Sequence, residues 1–398
     1  MKELSRKAMS IHPSATLQIN NLYKQLKAEG KDALGFGVGE PDFNTPDNIK
    51  EAGIKAIREN QTHYTPAAGN LDLRKAICYR LDKDCGVHYE PNEICVASGA
   101  KHSLFITLMC ILNPGDEVIL PGPFWVSYYE MINMAGGVPI IVGASADDDF
   151  KINPAQLRKA ISKKTKAVIL NNPSNPTGMF YNGEELRALC DVCVENDLYI
   201  ISDEIYYCLL YDNKEFVSAA SLGRDIRDHT ILVNGVSKAY AMTGWRIGYT
   251  ACNEKLTSVM SNYLSHSTSA PSTISQCAAV EALLGQQESV GAMRSEFEKR
   301  RNYMTGRMSK IAGVKFIKPD GAFYIMMDIG NFVGKTIRGH KIMSSEDFAT
   351  AFVKEEMVAV VPGYSFGAEH YIRWSYATDM DSIKKAMDRL ERFAADAE

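Results

Sequence analysis

The sequence predicts an α/β protein in which a large domain, built on a mostly parallel and doubly wound sheet, is joined to a smaller α+β domain. Helical and β-rich segments alternate from about residue 48 to about residue 290, and this alternation is typical of a parallel sheet with helices on both faces. After Met293 the chain changes to a long charged helical stretch, several short β-rich runs and a closing amphipathic helix. We therefore place the large domain at residues 48–290.

Composition narrows the possible functions. The 398 residues, with a net charge of −4, are enough for two cores but carry no basic block for nucleic acid. No apolar run approaches the ~18–20 residues that span a bilayer, and the first residues lack the apolar stretch of a signal peptide. We therefore expect neither nucleic-acid binding nor membrane association, and a cytoplasmic protein.

Cysteine and histidine do not suggest a metal site. The nine cysteines lie in apolar or helical segments, as expected for small buried side chains in a reducing compartment. Cys190 and Cys193 form a CxxC pair inside a helical run, where core packing is favoured over metal or redox use. The eight histidines form no metal-binding motif, so we predict no metal.

Two β-rich runs flank a helical segment in the middle of the chain. The first, KAVILNNPSNPTG (166–178), is stopped by Asn and Pro, and the second, LYIISDEIYY (198–207), ends in polar residues. A strand–helix–strand unit brings the carboxyl ends of parallel strands to one edge, where open sheets bind ligands. Asn175, Asp203 and Tyr206 are therefore expected at that edge.

Lys238 lies in NGVSKAYAMTGWRIGY (234–249), with Arg246 about two helical turns beyond it. A lysine in a dry pocket can form an imine with an aldehyde cofactor, and a nearby arginine can hold the cofactor's phosphate. The pair thus indicates pyridoxal phosphate. A lone Lys/Arg pair is more often solvated surface, so the hypothesis depends on the neighbouring motifs.

A series of short motifs follows in order along nearly the whole chain. They are GVGEPDF (37–43), YTPAAG (64–69), SGAKHSLF (98–105), PFWVSY (123–128), NNPSNPTG, SDEIY, the lysine motif, GAFY (321–324), VPGYSFG (361–367) and IRWSYA (372–377). The chain thereby resembles the fold-type I pyridoxal-phosphate enzymes, specifically class I aminotransferases of the aspartate aminotransferase type. The resemblance implies that residues 1–47 join residues 291–398 as a small domain that closes over substrate.

The resemblance, read with the chemistry of the residues, assigns three catalytic residues. Lys238 forms the imine and moves the α-proton of the substrate. Asp203 is the buried carboxylate that keeps the ring nitrogen protonated, although an N-cap aspartate starting a helix is an alternative. Tyr206 and Asn175 donate to the phenolic oxygen of the cofactor, or Tyr206 serves only in core packing.

Phosphate binding needs helix-terminal amides and cations. Ser98-Gly99-Ala100 opens a helical run and supplies the amides, while Arg246 supplies the charge. Similar enzymes add a hydroxyl just before the lysine, which is Ser237 here, and a tyrosine from the partner subunit, which matches Tyr64. That role for Tyr64 requires a homodimer, and an ordinary loop tyrosine is the alternative.

Substrate binding is assigned to several further residues. Trp125 offers a flat face to the cofactor ring, with Asn175 beside it, Arg373 can grip the α-carboxylate in bidentate fashion, and Gly39 lets the backbone approach the same carboxylate. Lys101, in the first turn of a helix where positive charge is disfavoured, is expected to bind a second carboxylate, or else to be solvated.

The resemblance implies transfer of the amino group of aspartate, or of a similar amino acid, to 2-oxoglutarate, with amino acids and 2-oxo acids as partners and ping-pong kinetics. His12 replaces a basic residue of the aspartate and prephenate enzymes, so prephenate activity is not expected. Two alternatives stay open: another substrate, such as alanine, an aromatic amino acid or prephenate, and a C–S β-lyase on the same fold.

Overall fold

The computed structural model describes residues 2–12 and 15–398. Its helices are α1 (Arg6–Met9), α2 (Ala15–Ala28), α3 (Asp47–Arg58), α4 (Leu71–Cys85), α5 (Ala100–Ile111), α6 (Val126–Met134), α7 (Pro154–Ala160), α8 (Gly183–Glu195), α9 (Arg224–His229), α10 (Glu254–Ser265), α11 (Thr273–Leu284), α12 (Glu288–Met308), α13 (Ser345–Glu356) and α14 (Met380–Ala395). Its strands are β1 (Leu34–Gly35), β2 (Ile94–Ala97), β3 (Glu117–Gly122), β4 (Val138–Gly143), β5 (Thr165–Asn171), β6 (Tyr199–Asp203), β7 (Thr230–Gly235), β8 (Gly248–Ala251), β9 (Lys315–Phe316), β10 (Tyr324–Asp328), β11 (Thr336–Ile337), β12 (His340–Lys341), β13 (Val358–Ala359), β14 (Val361–Pro362) and β15 (Tyr371–Ser375).

The larger sheet has seven strands in the order β2-β8-β7-β6-β5-β3-β4. Only β8 runs antiparallel to its neighbours; the other pairs are parallel. The predicted pairing of the two central runs is confirmed, since Asn171 at the end of β5 lies opposite Asp203 at the end of β6. The carboxyl ends of these strands therefore meet at one edge of the sheet.

Both faces of this sheet are covered, which explains the nearly continuous apolar strands. Along β5, Ala167 and Ile169 join a core with α5, α6 and α10, while Val168 and Leu170 join another with α7 and α8. Successive side chains of a strand point to opposite faces. Parallel strands buried on both faces are therefore apolar at every position.

A second sheet, antiparallel and four-stranded in the order β14-β15-β10-β9, forms the core of the C-terminal part. Its apolar side chains pack with α12, α13 and α14 around the buried Trp374. Strand β1 pairs with β13, so the N-terminal segment contacts this part of the chain. Helix α12 begins at Glu288, so the boundary drawn at residue 290 falls in its first turn; the domain division itself stays a prediction.

The segment from Lys238 to Arg246 differs from the expected two helical turns. It contains a turn and a short 3₁₀ helix at Thr243–Trp245, and Arg246 has a left-handed φ of 59°. The reason is topological, because β7 and β8 are antiparallel neighbours with Gly235 opposite Gly248. The chain between them must reverse direction within a loop, which a continuous helix does not allow.

Within the described ranges 2–12 and 15–398, no helix has the length and apolar character needed to cross a membrane. All nine cysteines are free thiols, and Cys190 and Cys193 are fully buried on α8. Burial raises the pKa of the Cys190 thiol. The prediction that this CxxC pair packs in the core is confirmed.

Candidate active site

A cavity of about 340 Å³ opens at the carboxyl ends of β5, β6 and β7. Most of the residues predicted for the site line it: Gly39, Ala100, Lys101, Trp125, Asn175, Asp203, Tyr206, Ser237, Lys238, Arg246 and Arg373. They come from both sheets and from the N-terminal segment, so the cavity lies between the two parts of the chain.

Lys238 is the partly buried amine of this cavity. Its Nζ donates to the carbonyl oxygen of Gly39 at 2.5 Å. Burial lowers the pKa of Lys238 to about 8, a shift that Glu40 opposes and that Arg246 and Arg373 strengthen. A large fraction of the amine is therefore neutral at mildly alkaline pH, which is the form that acts as a nucleophile or base.

Asp203 ends β6 and is only 3% exposed. Its Oδ2 accepts a hydrogen bond from the Tyr128 hydroxyl at 2.6 Å, and its Oδ1 accepts from the amide of Ile205 at 3.2 Å. Burial raises the pKa of Asp203 to about 6, and these hydrogen bonds together with Lys238 oppose the rise. The carboxylate is thus poised to receive a positively charged ring N–H.

Tyr128 was not predicted as a site residue, although it belongs to the PFWVSY motif. It lies on α6 one turn after Trp125, and the two rings meet edge to face at 5.2 Å. Its hydroxyl is fully buried against Asp203. The i to i+3 spacing from Trp125 is the sequence signal that could have revealed it.

Tyr206 follows β6 and points its hydroxyl at another tyrosine that the sequence did not identify. The hydroxyl oxygens of Tyr206 and Tyr324 are 2.8 Å apart, and both residues are buried. Tyr324 is the last residue of the GAFY motif and also lines the cavity. Burial raises the pKa of Tyr206 well above its ordinary value.

Arg373 lines the cavity and is 1% exposed. It donates to Asn175 Oδ1 at 3.0 Å and to the Gly37 carbonyl oxygen at 2.6 Å, and its Nε has no partner among the described residues. A buried cation without a counter-ion is costly, so an anionic ligand satisfies it. Because Asn175 uses its oxygen on Arg373, its amide nitrogen is the group that can donate to a ligand.

The beginning of α5 and Arg246 form an anion site. Gly99 has φ 87° at the N-cap, and a Cβ there would lie 2.5 Å from Arg246 Nη2. Arg246 donates to the carbonyl oxygen of Ser98 at 3.2 Å. The glycine thus lets a guanidinium come close to the free amides of a helix start, an arrangement that suits a phosphate.

Gly39 lines the cavity, and its predicted approach to a carboxylate stays a prediction; the structure gives a second reason for a glycine here. A Cβ at this position would lie 2.7 Å from the Tyr324 hydroxyl oxygen. The absent side chain therefore makes room for that hydroxyl, and the carbonyl of the same glycine accepts from Lys238.

Lys101 is exposed and lies at the cavity mouth, where the cavity meets a larger adjoining one that His12 lines; Trp125 lines the cavity beside it. The Lys101 Nζ lies 4.8 Å from the Trp125 ring centroid, and partial desolvation together with the charge of Arg246 lowers the pKa of Lys101. His12 Nδ1 is 3.2 Å from Glu130 Oε1. Ser237 is buried and lines the cavity beside Lys238.

Tyr64 is not brought to the cavity of its own chain. Its side chain is 99% exposed and lines a surface groove together with residues 267–274. The predicted role in phosphate binding therefore depends entirely on a second subunit.

Within residues 2–12 and 15–398, no group of three or more His, Cys, Asp or Glu side chains could hold a metal ion.

Comparison with known proteins agrees with this fold. Residues 31–390 match the sequence profile of the family described as aminotransferase class I and II. The chain belongs to this family of aminotransferases, and it has the fold-type I architecture.

Three relatives illustrate the similarity. An aspartate aminotransferase of Bacillus sp. (strain YM-2) is 47% identical over 99% of this chain and 100% of the relative. An aspartate/prephenate aminotransferase of Cereibacter sphaeroides is 43% identical, with 99% of each chain covered. The crystal structure of the aspartate aminotransferase from Rhizobium meliloti superposes with a TM-score of 0.97 at 37% identity, over 100% of both chains.

Proposed function

We propose that this aminotransferase moves the amino group of aspartate to 2-oxoglutarate, using pyridoxal 5'-phosphate bound to Lys238. The observation that carries the proposal is the convergence of a partly buried lysine, a buried carboxylate and two arginines on one cavity. The aspartate aminotransferases among the relatives, at 47% identity for one of them, support the choice of donor.

The residues fit this cofactor on three independent features. The Gly99–Arg246 cradle at the start of α5 suits its phosphate, the Asp203 carboxylate suits a protonated ring nitrogen, and Lys238 has an accessible amine with a lowered pKa. Trp125, at the cavity wall, offers an aromatic face to a flat ring. We assign to Ser237, which lines the cavity beside Lys238, the role of adding a hydroxyl to the phosphate.

Pyridoxal phosphate, when bound, supplies an aldehyde that holds an amino group and a ring that accepts the electron pair left when the Cα–H bond breaks. Lys238 then removes and returns the proton at Cα, for which a pKa of about 8 is well matched. Asp203 holds the proton of the ring nitrogen in place. Tyr206 and Asn175 donate to the ring oxygen and stabilise its negative charge.

Two cations account for a dicarboxylic substrate. Arg373 binds the α-carboxylate, since its Nε is buried without a partner among the described residues. Lys101 binds the distal carboxylate from the cavity mouth, where its lowered pKa reflects an unfavourable site for an isolated cation. The distance between the two carboxylates of the substrate then decides which amino acid can contact both Arg373 and Lys101.

A second candidate function is transfer of the amino group from an apolar or aromatic amino acid. A larger cavity of about 730 Å³ adjoins the first and shares Lys101 and Arg246 with it. Its walls include Phe105, Phe124 and Met134, which suit an apolar side chain. Aspartate is the preferred donor because Lys101, which lies where the two cavities meet, requires a negative charge in the substrate.

We also propose that the chain is divided into two domains and that it forms a homodimer. Residues 48–290 hold the cofactor, and residues 1–47 with 291–398 close over the substrate; the pairing of β1 with β13 supports this grouping. A homodimer brings Tyr64 of one subunit to the phosphate of the other, which suits a tyrosine that is 99% exposed in the single chain.

The chemistry is tested with Lys238→Ala and, as a matched control, Lys163→Ala at an exposed position outside the cavity. Wild-type protein and the control, incubated with pyridoxal phosphate and reduced with borohydride, should gain the cofactor's mass on the peptide that contains Lys238. Lys238→Ala should gain none there and should exchange no amino group. Unlabelled wild-type protein, or labelling that survives in Lys238→Ala, would refute the proposal.

The reaction products distinguish an aminotransferase from a β-lyase. Aspartate and 2-oxoglutarate should give oxaloacetate and glutamate in equal amounts. Release of ammonia and pyruvate from a cysteine-type substrate, without exchange, would identify a β-lyase instead.

A further inference from the structure

We propose that Tyr324 is a positioning residue whose hydroxyl donates to the hydroxyl of Tyr206 and so directs the Tyr206 proton into the cavity, toward the ring oxygen of the cofactor. This inference rests on the function proposed above and deepens it. Tyr324 acts through Tyr206, and it connects the arginine that holds the substrate carboxylate to the residue that faces the cofactor ring.

The two tyrosines approach each other from different parts of the chain. Tyr324 begins β10 of the four-stranded sheet and pairs with Ser375 on β15, the strand that carries Arg373. Tyr206 follows β6 of the seven-stranded sheet. Their hydroxyl oxygens are 2.8 Å apart, and the rings meet edge to face at 85°. The hydrogen bond therefore joins the two sheets at the cavity wall.

The direction of this hydrogen bond decides what Tyr206 can do. Each hydroxyl has a single proton to donate. If Tyr206 donated to Tyr324, it would have no proton for a ligand in the cavity. If Tyr324 donates, Tyr206 accepts with one lone pair, and its own proton is free to point inward.

Arg373 favours donation from Tyr324. Its guanidinium carbon lies 4.6 Å from the centre of the Tyr324 ring, and a cation over an aromatic face draws electron density from the ring and its hydroxyl. Burial raises the pKa of both hydroxyls, and the charge of Arg373 opposes the rise at both, but among the described residues the guanidinium lies against the ring of Tyr324 and not against that of Tyr206. The stronger acid of a hydrogen-bonded pair is the better donor.

The surroundings leave Tyr324 no other partner. Its hydroxyl makes only the one hydrogen bond among the described residues, and it occupies the space that the missing side chain of Gly39 leaves open. The carbonyl of Gly39 accepts from Lys238. Tyr324 is therefore fixed between Arg373, Gly39 and Tyr206, with its donor directed at Tyr206.

The test is Tyr324→Phe, which removes the hydroxyl and keeps the ring on Arg373. Without the donated hydrogen bond, Tyr206 stabilises the ring oxygen less, so the pH midpoint of the bound cofactor's visible absorbance should rise by roughly half to one unit. We expect kcat to fall about three- to tenfold, and KM for the amino acid to change less than about twofold, since Arg373 is retained.

Tyr376→Phe is the matched control. Tyr376 is a fully buried tyrosine just beyond β15 whose hydroxyl donates to the Ala322 carbonyl at 3.3 Å, and it does not line the cavity. Its variant should keep the wild-type absorbance midpoint. A midpoint that shifts equally in both variants would overturn the positioning role, because it would reflect the loss of any buried hydroxyl from this sheet.

A double-mutant cycle with Tyr206→Phe makes the inference specific. If Tyr324 acts through Tyr206, then Tyr206→Phe/Tyr324→Phe should have the midpoint and kcat of Tyr206→Phe alone. Additive effects would overturn the inference, as would a Tyr324→Phe midpoint equal to that of the wild type. Failure of the proposed function is recognised separately, since the wild-type protein would then either bind no pyridoxal phosphate or form no glutamate from 2-oxoglutarate.

Discussion

At the scale of single residues, burial sets the acidity of the two groups to which we assign the proton chemistry. The pKa of Lys238 is lowered to about 8 and that of Asp203 is raised to about 6, each because its charged form loses hydration. Between these values Asp203 is ionised while Lys238 still carries a proton in most molecules. The two charges therefore support each other in the neutral pH range.

Tyr128 should control where Asp203 ionises. In Tyr128→Phe the carboxylate loses a 2.6 Å hydrogen bond that lowers its pKa, so its pKa should rise by about one unit. Because the carboxylate form binds the cationic ring, cofactor affinity is present above this pKa and is lost as the pH falls through it. Titration of apo protein with pyridoxal phosphate across pH 5 to 8 measures the midpoint.

Tyr181→Phe serves as the control for this measurement, since Tyr181 is also buried but its hydroxyl accepts from the Ile152 amide, away from Asp203. Its midpoint should match the wild type. An unshifted midpoint in Tyr128→Phe would mean that the hydrogen bond does not set the acidity of Asp203.

Lys101 should decide the preference for a dicarboxylic donor. Lys101→Ala removes the cation at the cavity mouth, so kcat/KM for aspartate should fall about tenfold or more, whereas alanine, which has no distal carboxylate, should be affected little. The ratio of the two values measured on the same preparation reports specificity independently of active-site content. Equal losses for both donors would exclude this role of Lys101.

At the scale of elements, the anion site depends on how closely β8 packs against the start of α5. A Cβ on Gly248 would overlap the backbone of Gly99 and Ala100, so only glycine allows this distance. The strand thereby holds the start of α5 beside Arg246, which lies in the loop that leads into β8. Neither element alone defines the site.

Gly248→Ala should therefore push the helix start away from Arg246. We expect a destabilisation of about 1–3 kcal/mol or more from overpacking, and a loss of pyridoxal phosphate affinity of about tenfold or more at temperatures where the variant is folded. Urea denaturation and cofactor titration measure the two effects.

Gly244→Ala, in the loop that precedes β8 and with open space for a Cβ, is the comparison for that experiment and should resemble the wild type in both measurements. A Gly248→Ala protein with unchanged cofactor affinity would show that the helix start tolerates displacement.

At the scale of the whole molecule, a complete site requires two chains if Tyr64 acts as proposed. Tyr64→Phe should weaken pyridoxal phosphate binding about tenfold. When Tyr64→Phe and Lys238→Ala chains are assembled into hybrids, the site that contains Lys238 receives an intact Tyr64 from the other chain. One site per hybrid should then bind with wild-type affinity.

The hybrid experiment has a clear opposite outcome. If Tyr64 acted within its own chain, the hybrid would titrate like the Tyr64→Phe protein. Sedimentation of the wild-type chain provides the accompanying control, since a monomer at the assay concentration would exclude a crossed tyrosine.

The order of the motifs along the chain is sufficient to predict the fold class and most residues of the candidate site. The alternation of helical and β-rich runs predicted the parallel sheet, and the polar residues that end its strands predicted a cavity at that edge. These features are local, because periodicity and strand ends follow from neighbouring residues. The predicted site residues other than Tyr64 therefore line the cavity or, as Ser98 and Gly99 do, border it.

The tertiary structure alone decided which groups meet across the cavity. Tyr128 contacts Asp203, 75 residues away, and Tyr324 contacts Tyr206, 118 residues away. It also determined that Gly39 makes room for a hydroxyl, that Arg246 follows a loop in place of a helix, and that Tyr64 is exposed. Such hydrogen bonds depend on side-chain distances that only the packing of both sheets fixes, whereas the type of each element and the place where each strand ends follow from the local pattern.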